Sequence, residues 1–306
     1  MAIFKDYLEN KSPLILHGAL GTEMESLGYD ISGKLWSAKY LLDKPEVIQK
    51  IHETYVAAGS DLITTSSYQA TLPGLIDAGL TKEEAEQIIA LTVQLAKNAR
   101  DKVWATLDDS EKANRPYPLI SGDVGPYAAY LANGSEYTGD YGQIIIEALK
   151  EFHRPRIQIL LDHGVDLLAL ETIPNYLEAQ ALIELLAEEF PEAEAYISFT
   201  VQESGTISDG TSLDEIAQLV GQSDQILALG INCSSPLLYN QALAILKNAG
   251  KALITYPNSG EVYDGSTQTW KPKDKDALTL VEHSKDWHTQ FGVKILGGCC
   301  RTRPND

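Results

Sequence analysis

The 306-residue chain holds only three cysteines. Three is an odd number, and two of them are adjacent and would bridge only with strain, so no disulfide framework and no oxidising compartment is expected. Basic residues are scarce too: 24 Lys and Arg against 43 Asp and Glu give a net charge of −19. Such a surface repels phosphate backbones and anionic lipid, so nucleic acid is not an expected partner. No run approaches the roughly 20 apolar residues needed to span a bilayer. The start MAIFKDYLENKS has no apolar core behind a basic segment, so neither a signal peptide nor a membrane partner is expected, and the reading is a cytoplasmic protein. A G-x-G-x-x-G fingerprint is missing from GALGTE after the first apolar run, and H-E-x-x-H, a phosphate loop and a Ser-His-Asp order are missing throughout. No linker, low-complexity tract or fixed-period repeat divides the chain.

What is present is a 44% hydrophobic composition, enough for a large core, arranged in eight short apolar runs at 14–17, 62–65, 119–122, 167–171, 196–200, 226–231, 253–256 and 293–296. Near-continuous apolar runs are the mark of strands buried on both faces. Helical signals lie between them. Pro45 opens a segment in which Val47, Ile48, Ile51 and Tyr55 share a face before Gly59, Thr81 with Glu84 forms a capping box, and Asn175 with Glu178 resembles another. Eight strands alternating with helices predict an α/β fold, a (β/α)8 TIM barrel in one domain over 1–306, with a doubly wound open sheet as the alternative. Only residues 301–306 follow the last strand, so the eighth helix is expected to be missing. The amphipathic start, with Phe4, Tyr7 and Leu8 on one face, is a candidate for capping the barrel bottom or covering part of that gap.

Barrel active sites are built at the carboxyl ends of the strands. Those positions read His17, Ser66 and Ser67, Asp123, Glu171, Gln202 or Glu203, Asn232 with Cys233, Asn258, and Cys299 with Cys300. All three cysteines therefore fall on one predicted rim, after strands six and eight. A core role suits them poorly, because two neighbouring side chains after a Gly-Gly pair cannot both follow one apolar face. Thiolates are the soft ligands zinc prefers, and a catalytic zinc site has three protein ligands with a fourth position open. Three thiolates leave the ion with a net negative charge, which makes it a weak Lewis acid but a good holder of a further thiolate. A free thiol, with a pKa of about 8.5, is deprotonated by such coordination. The product is an activated sulfur nucleophile, best matched to a methyl group on a cationic donor. A hydrolase using zinc-bound hydroxide and a closed, non-catalytic zinc site fit less well.

GINCSSP with ILGGCCRTRP, preceded by ETIPN and YPNSGEVYD, resembles the homocysteine S-methyltransferases, nearly end to end. LWSAKYL, SYQAT, GDVGPYAAYLANGSEYTGDY, FHRPR and SDGT are similar to the branch whose donor is S-methylmethionine or, less efficiently, S-adenosylmethionine. The resemblance implies a zinc ion held by Cys233, Cys299 and Cys300 with homocysteine sulfur in the fourth place. It implies Glu171 on the substrate's amino group, and Gly18 where backbone approaches the amino acid. Asn232 belongs to the same substrate-binding set. Trp36 and Asn258 are further donor-side candidates by resemblance. Related reactions with betaine as donor, or with selenohomocysteine or selenocysteine as acceptor, are the alternative. The expected partners are small molecules, the expected state a monomer or homodimer.

One departure stands out from the resemblance. The family usually carries an acid in a D-G-A or D-G-G string after strand one, whereas this chain reads His17-Gly18-Ala19. A neutral imidazole accepts one hydrogen bond and a protonated one opposes an ammonium group, so homocysteine binding is expected to be weaker or more dependent on pH. The segment 123–141 interleaves Tyr127, Tyr130, Tyr137 and Tyr141 with Asp123, Glu136 and Asp140. Aromatic faces and carboxylates attract a sulfonium cation, which makes Asp123, Tyr127 and Tyr130 donor-site candidates.

Overall fold

The computed structural model describes residues 3–10, 13–31, 38–264, 269–271 and 278–306. Eight parallel strands run through it: β1 Leu14–Ile15, β2 Leu62–Thr64, β3 Leu119–Val124, β4 Leu167–Ile173, β5 Ala195–Phe199, β6 Ile226–Asn232, β7 Ala252–Tyr256 and β8 Ile295–Leu296. Their order is β1-β8-β7-β6-β5-β4-β3-β2. The ring closes where Leu16 bridges Leu62, with the Asp61 N–H donating to the Ile15 carbonyl at 2.7 Å and the His17 N–H to the Leu62 carbonyl at 2.8 Å. This is the (β/α)8 barrel, and all eight predicted runs lie on its strands. The open-sheet alternative fails at that closure.

Seven crossover helices join the strands. The first, Pro45–Ala58, starts on its proline and stops at Gly59, whose φ of 112° suits glycine. The second, Lys82–Thr106, carries the complete Thr81 and Glu84 capping box. Before Tyr176–Glu189 only half of the expected box forms. Asn175 accepts from the Glu178 N–H, while the Glu178 carboxylate turns elsewhere. The hairpin of Val262–Asp264 with Thr269–Lys271 is an antiparallel addition between β7 and the helix Leu280–Phe291 that periodicity did not indicate.

Inside the barrel, Leu14, Leu16, Leu62, Leu119, Leu167 and Ile295 form a cluster with Tyr196 and Tyr256 above them. Phe4, from the N-terminal helix Ile3–Asn10, is fully buried in this cluster. That helix therefore plugs the barrel floor and does not occupy the eighth-helix position. Past β8, residues 297–306 form turns without a helix. Beside them the outer faces of β1 and β8 line an apolar groove of about 320 Å³ with Tyr55, Leu280 and Val281, and Ile15 is left 43% exposed.

Candidate metal and substrate site

The chemistry collects at the carboxyl ends of the strands. Cys233 follows β6, and Cys299 and Cys300 follow β8; their sulfurs all lie within 4.8 Å of one another. The β7 loop between them fixes both turns. Tyr256 O accepts from the Cys233 N–H at 3.3 Å, Pro257 O from the Cys299 N–H at 2.7 Å, and the Ser259 N–H donates to Cys300 O at 3.0 Å. Cys233, Thr172 and Arg301 hold positive φ angles of 46°, 62° and 65°. These are three of only four non-glycine residues described in that region, and all three sit next to the predicted site. Strain of this kind persists where surrounding structure over-determines the backbone.

Cys233 and Cys299 are joined as a disulfide, with Cα atoms 5.5 Å apart, and Cys300 is free. This corrects the expectation of no bridge. The adjacent pair does not bridge; the bond instead spans two strand ends that the barrel brings together, a proximity no spacing along the chain reveals. The same three sulfurs suit a metal. A tetrahedral zinc with Zn–S bonds of about 2.3 Å places its sulfurs roughly 3.8 Å apart, and Cys233 Sγ lies 3.9 Å from Cys300 Sγ. A metal ion needs the Cys233–Cys299 bond opened. Burial, with the carboxylates of Glu136, Glu25 and Glu171 nearby, pushes the Cys300 thiol up to about 11, so it stays protonated without a cation.

Glu171, at the end of β4, is an inward residue of a strand whose Leu167 and Ala169 also face the barrel interior. Its Oε2 accepts from the Tyr256 hydroxyl at 3.1 Å. Burial raises this carboxyl to about 7. Asp123 on β3 faces it, buried, and is raised well above the carboxylate range by burial and by Glu171. Asn232 holds this floor together: its Oδ1 accepts from the Thr172 N–H at 3.1 Å and its amide donates to Thr172 Oγ1 at 2.8 Å. It thus ties the strained residue after Glu171 to the one before Cys233. Asn258 reaches the same mouth with a buried Oδ1 that no donor meets.

His17 is elsewhere. On β1, Leu14 and Leu16 point inward, so the next residue turns out toward the helix Pro45–Ala58. His17 Nε2 lies 3.0 Å from His52 Nδ1, and its ring packs 4.1 Å from that of Tyr55. Burial lowers the pKa of both imidazoles, that of His52 to about 4. Gly18 is covered by Tyr55 as well: a Cβ there would fall 2.8 Å from the phenol ring. Trp36 lies outside the described residues.

The segment 123–141 divides. Tyr127 and Tyr130 pack on Phe152 with ring centroids 5.0 and 5.5 Å away, and Tyr130 donates to Asp77 at 3.0 Å. Tyr141 donates to Glu178 Oε2 at 2.5 Å. These tyrosines join the helix layer. Glu136 instead lies by the cysteines and accepts from the buried Tyr68 hydroxyl at 2.9 Å. Its backbone is laid across the mouth, since the Asn175 amide donates to Gly139 O at 2.8 Å and Gln202 to Tyr137 O at 3.2 Å. A side chain at Gly139, φ 64°, would strike Pro174 and Asp209. Sequence reasoning left Tyr68, Tyr256 and Arg156 unassigned. Tyr256 was recoverable, as the polar end of an apolar strand beside the cysteine turns. Arg156, which binds the carbonyls of Tyr68 at 2.9 Å and Gly125 at 2.5 Å, stood in FHRPR with no role attached to it.

Residues 14–306 match the family model described as homocysteine S-methyltransferase. Homocysteine S-methyltransferase YbgG of Bacillus subtilis is 44% identical over 295 residues, 96% of this chain and 91% of that protein. The selenocysteine methyltransferase of Astragalus bisulcatus is 40% identical, over 95% of this chain and 89% of that protein. The crystal structure of the homocysteine methyltransferase MmuM from Escherichia coli, in its metallated form, superposes with a TM-score of 0.85 at 40% identity, covering 99% of this chain and 96% of that one. The chain belongs to the homocysteine S-methyltransferase family.

Proposed function

We propose that the chain is a zinc-dependent enzyme that moves a methyl group from S-methylmethionine, or from S-adenosylmethionine, to the sulfur of L-homocysteine, giving methionine. The observation that carries this reading is the convergence of Cys233, Cys299 and Cys300 within 4.8 Å beside the buried Glu171. When bound, zinc would keep the acceptor sulfur deprotonated and fixed in place. Glu171, braced by Tyr256, holds the substrate's ammonium group. Glu136, oriented by Tyr68, offers the donor's sulfonium centre a carboxylate in a water-poor mouth, and Asn258, with its unmet Oδ1, is a further donor-side residue. The acceptor sulfur forms a bond to the methyl carbon as the donor's carbon–sulfur bond breaks and its electron pair returns to the donor sulfur. The thiol proton leaves to solvent, and S-methylmethionine becomes a second methionine. In-line positioning by the mouth residues supplies most of the remaining rate. We assign the activity to one domain over 1–306 acting in the cytoplasm.

Two measurements test it. Methyl transfer is compared with S-methylmethionine, S-adenosylmethionine and betaine, and with homocysteine and selenocysteine as acceptors. The similarity to a selenocysteine methyltransferase makes the second acceptor the pertinent rival. Metal content is read by mass spectrometry on wild type and Cys299→Ala. Loss of zinc and activity together is expected; a Cys299→Ala protein that keeps both refutes the ligand assignment.

A further inference from the structure

We propose that Asp123 forms the second wall of the homocysteine ammonium seat, facing Glu171 across the barrel interior, and does not serve the methyl donor. The proposal rests on the reading that homocysteine is the acceptor and that Glu171 receives its amino group.

The strands place the two acids together. On β3, Leu119 and Asp123 share the inward parity, as Leu167, Ala169 and Glu171 do on β4. The strands are neighbours, with Asp123 opposite Ala169. Glu171 is therefore the diagonal neighbour of Asp123, a spacing long side chains bridge, and the charge of Glu171 is among the causes that raise the Asp123 carboxyl. Two buried acids this close disfavour joint ionisation.

Among the described residues no salt bridge reaches either acid, although the charge of Arg156 acts on Asp123. Arg156 is the charged neighbour, but its guanidinium donates to the carbonyls of Ser67, Tyr68 and Gly125. Asp123 Oδ1 is buried without a donor, although the residue is only 4% exposed. Its backbone is already fixed, with the N–H donating to Thr65 Oγ1 at 2.9 Å and the carbonyl accepting from Ser67 at 2.7 Å. Among the described residues no donor meets the side-chain Oδ1. A buried acceptor left unmet costs about 1–3 kcal/mol. An ammonium group brings three donors and the missing positive charge. Its charge favours the ionised form of both acids, which then act as counter-ions.

His17 faces away from this space, held by His52 and Tyr55, so the end of β1 does not compete for the ammonium group. Tyr127 and Tyr130, expected to act with Asp123 on the donor, pack instead on Phe152.

The test is steady-state kinetics of zinc-loaded wild type, Asp123→Asn and Asp123→Ser, varying L-homocysteine and S-methylmethionine in turn, with thermal unfolding of each. A variant with wild-type thermal stability is expected to raise the homocysteine KM at least tenfold and keep the donor KM within twofold. A donor KM that rises as much as the homocysteine KM overturns the proposal, as does a change within twofold in both. Failure of both variants to fold overturns it too, because that result marks a structural acid. Absence of homocysteine-dependent methyl transfer by the wild type overturns the parent reading, and this assignment with it.

Discussion

The buried imidazole pair of His17 and His52 couples stability to pH. His52 titrates at about 4 in the folded protein, against 6.5 in an exposed chain. A lowered folded pKa means that the unfolded chain takes up the proton first. Its contribution is present above pH 6.5 and is lost as pH falls through about 4. Between pH 7 and pH 5 the loss is roughly 2 kcal/mol. Glu171 has the opposite sign. Raised from 4.5 to about 7, it contributes fully below pH 4.5 and loses that contribution as pH rises toward 7. The two slopes oppose each other, and the wild-type profile is flattened. In a His52→Asn protein the His52 contribution disappears while that of His17 remains, so urea denaturation is expected to show wild type losing about 2 kcal/mol relative to the variant between pH 7 and pH 5. Parallel profiles would contradict this.

Sulfur chemistry also belongs to this scale. The Cys233–Cys299 bond and a three-thiolate metal site use the same atoms, so one excludes the other. Opening the bond consumes two electrons. Zinc uptake by the oxidised chain is therefore expected to require a dithiol or phosphine reductant, with one zinc bound after reduction and close to none before. Equal uptake with and without reductant would show that the sulfurs are already free.

Among the secondary elements, the segment over the mouth depends on Glu178. This fully buried carboxylate accepts from the Tyr127 N–H at 2.6 Å and from Tyr141, and meets His153 Nε2 at 2.8 Å. The start and end of the segment are thereby pinned to one residue at the head of the helix Tyr176–Glu189. Glu178→Ala leaves several buried donors unmet. A loss of about 3 kcal/mol in unfolding free energy is expected. Because Glu136 rides on this segment, the donor KM is expected to rise more than the homocysteine KM; the reverse order would place Glu136 outside the donor site.

Elements were the most legible part of the sequence, and individual contacts the least. The strands showed through because burial on both faces leaves continuous apolar runs, and Pro45 with Gly59 marked a helix whose ends obey local rules. The orientation of His17 was not legible, because it depends on how far β1 extends before its parity stops mattering. Nor was the meeting of Asp123 with Glu171, since register between strands is set by packing of the whole barrel. Expecting Asp123 beside the tyrosines followed sequence proximity, whereas the strand end separates it from them. The cysteine cluster was legible because three strand-end positions reduce to one rim once eight strands are counted.

For the molecule as a whole, the N-terminal helix supplies what the barrel floor lacks. Phe4 is fully buried against Leu14, Leu62 and Leu119, and the Phe4 N–H donates to Glu194 Oε2 at 2.8 Å. Phe4→Ala is expected to cost about 3–5 kcal/mol, measured by urea denaturation, with both Michaelis constants unchanged because the mouth lies at the other end of the strands. A change in either constant would show that the floor and the mouth are coupled.

The pairing of Leu14 with Ile295 has a consequence for biosynthesis. β1 is made first, yet one of its two neighbours is β8, made last. On the ribosome β1 must wait, half-paired, until β8 has emerged, and a contact between residues about 280 apart is entropically slow to form. Two of the three thiols arrive with that closing strand. The three sulfurs thus meet only after the other seven strands have been made, and a ribosome stalled before residue 295 holds a nascent chain with Cys233 alone of the three.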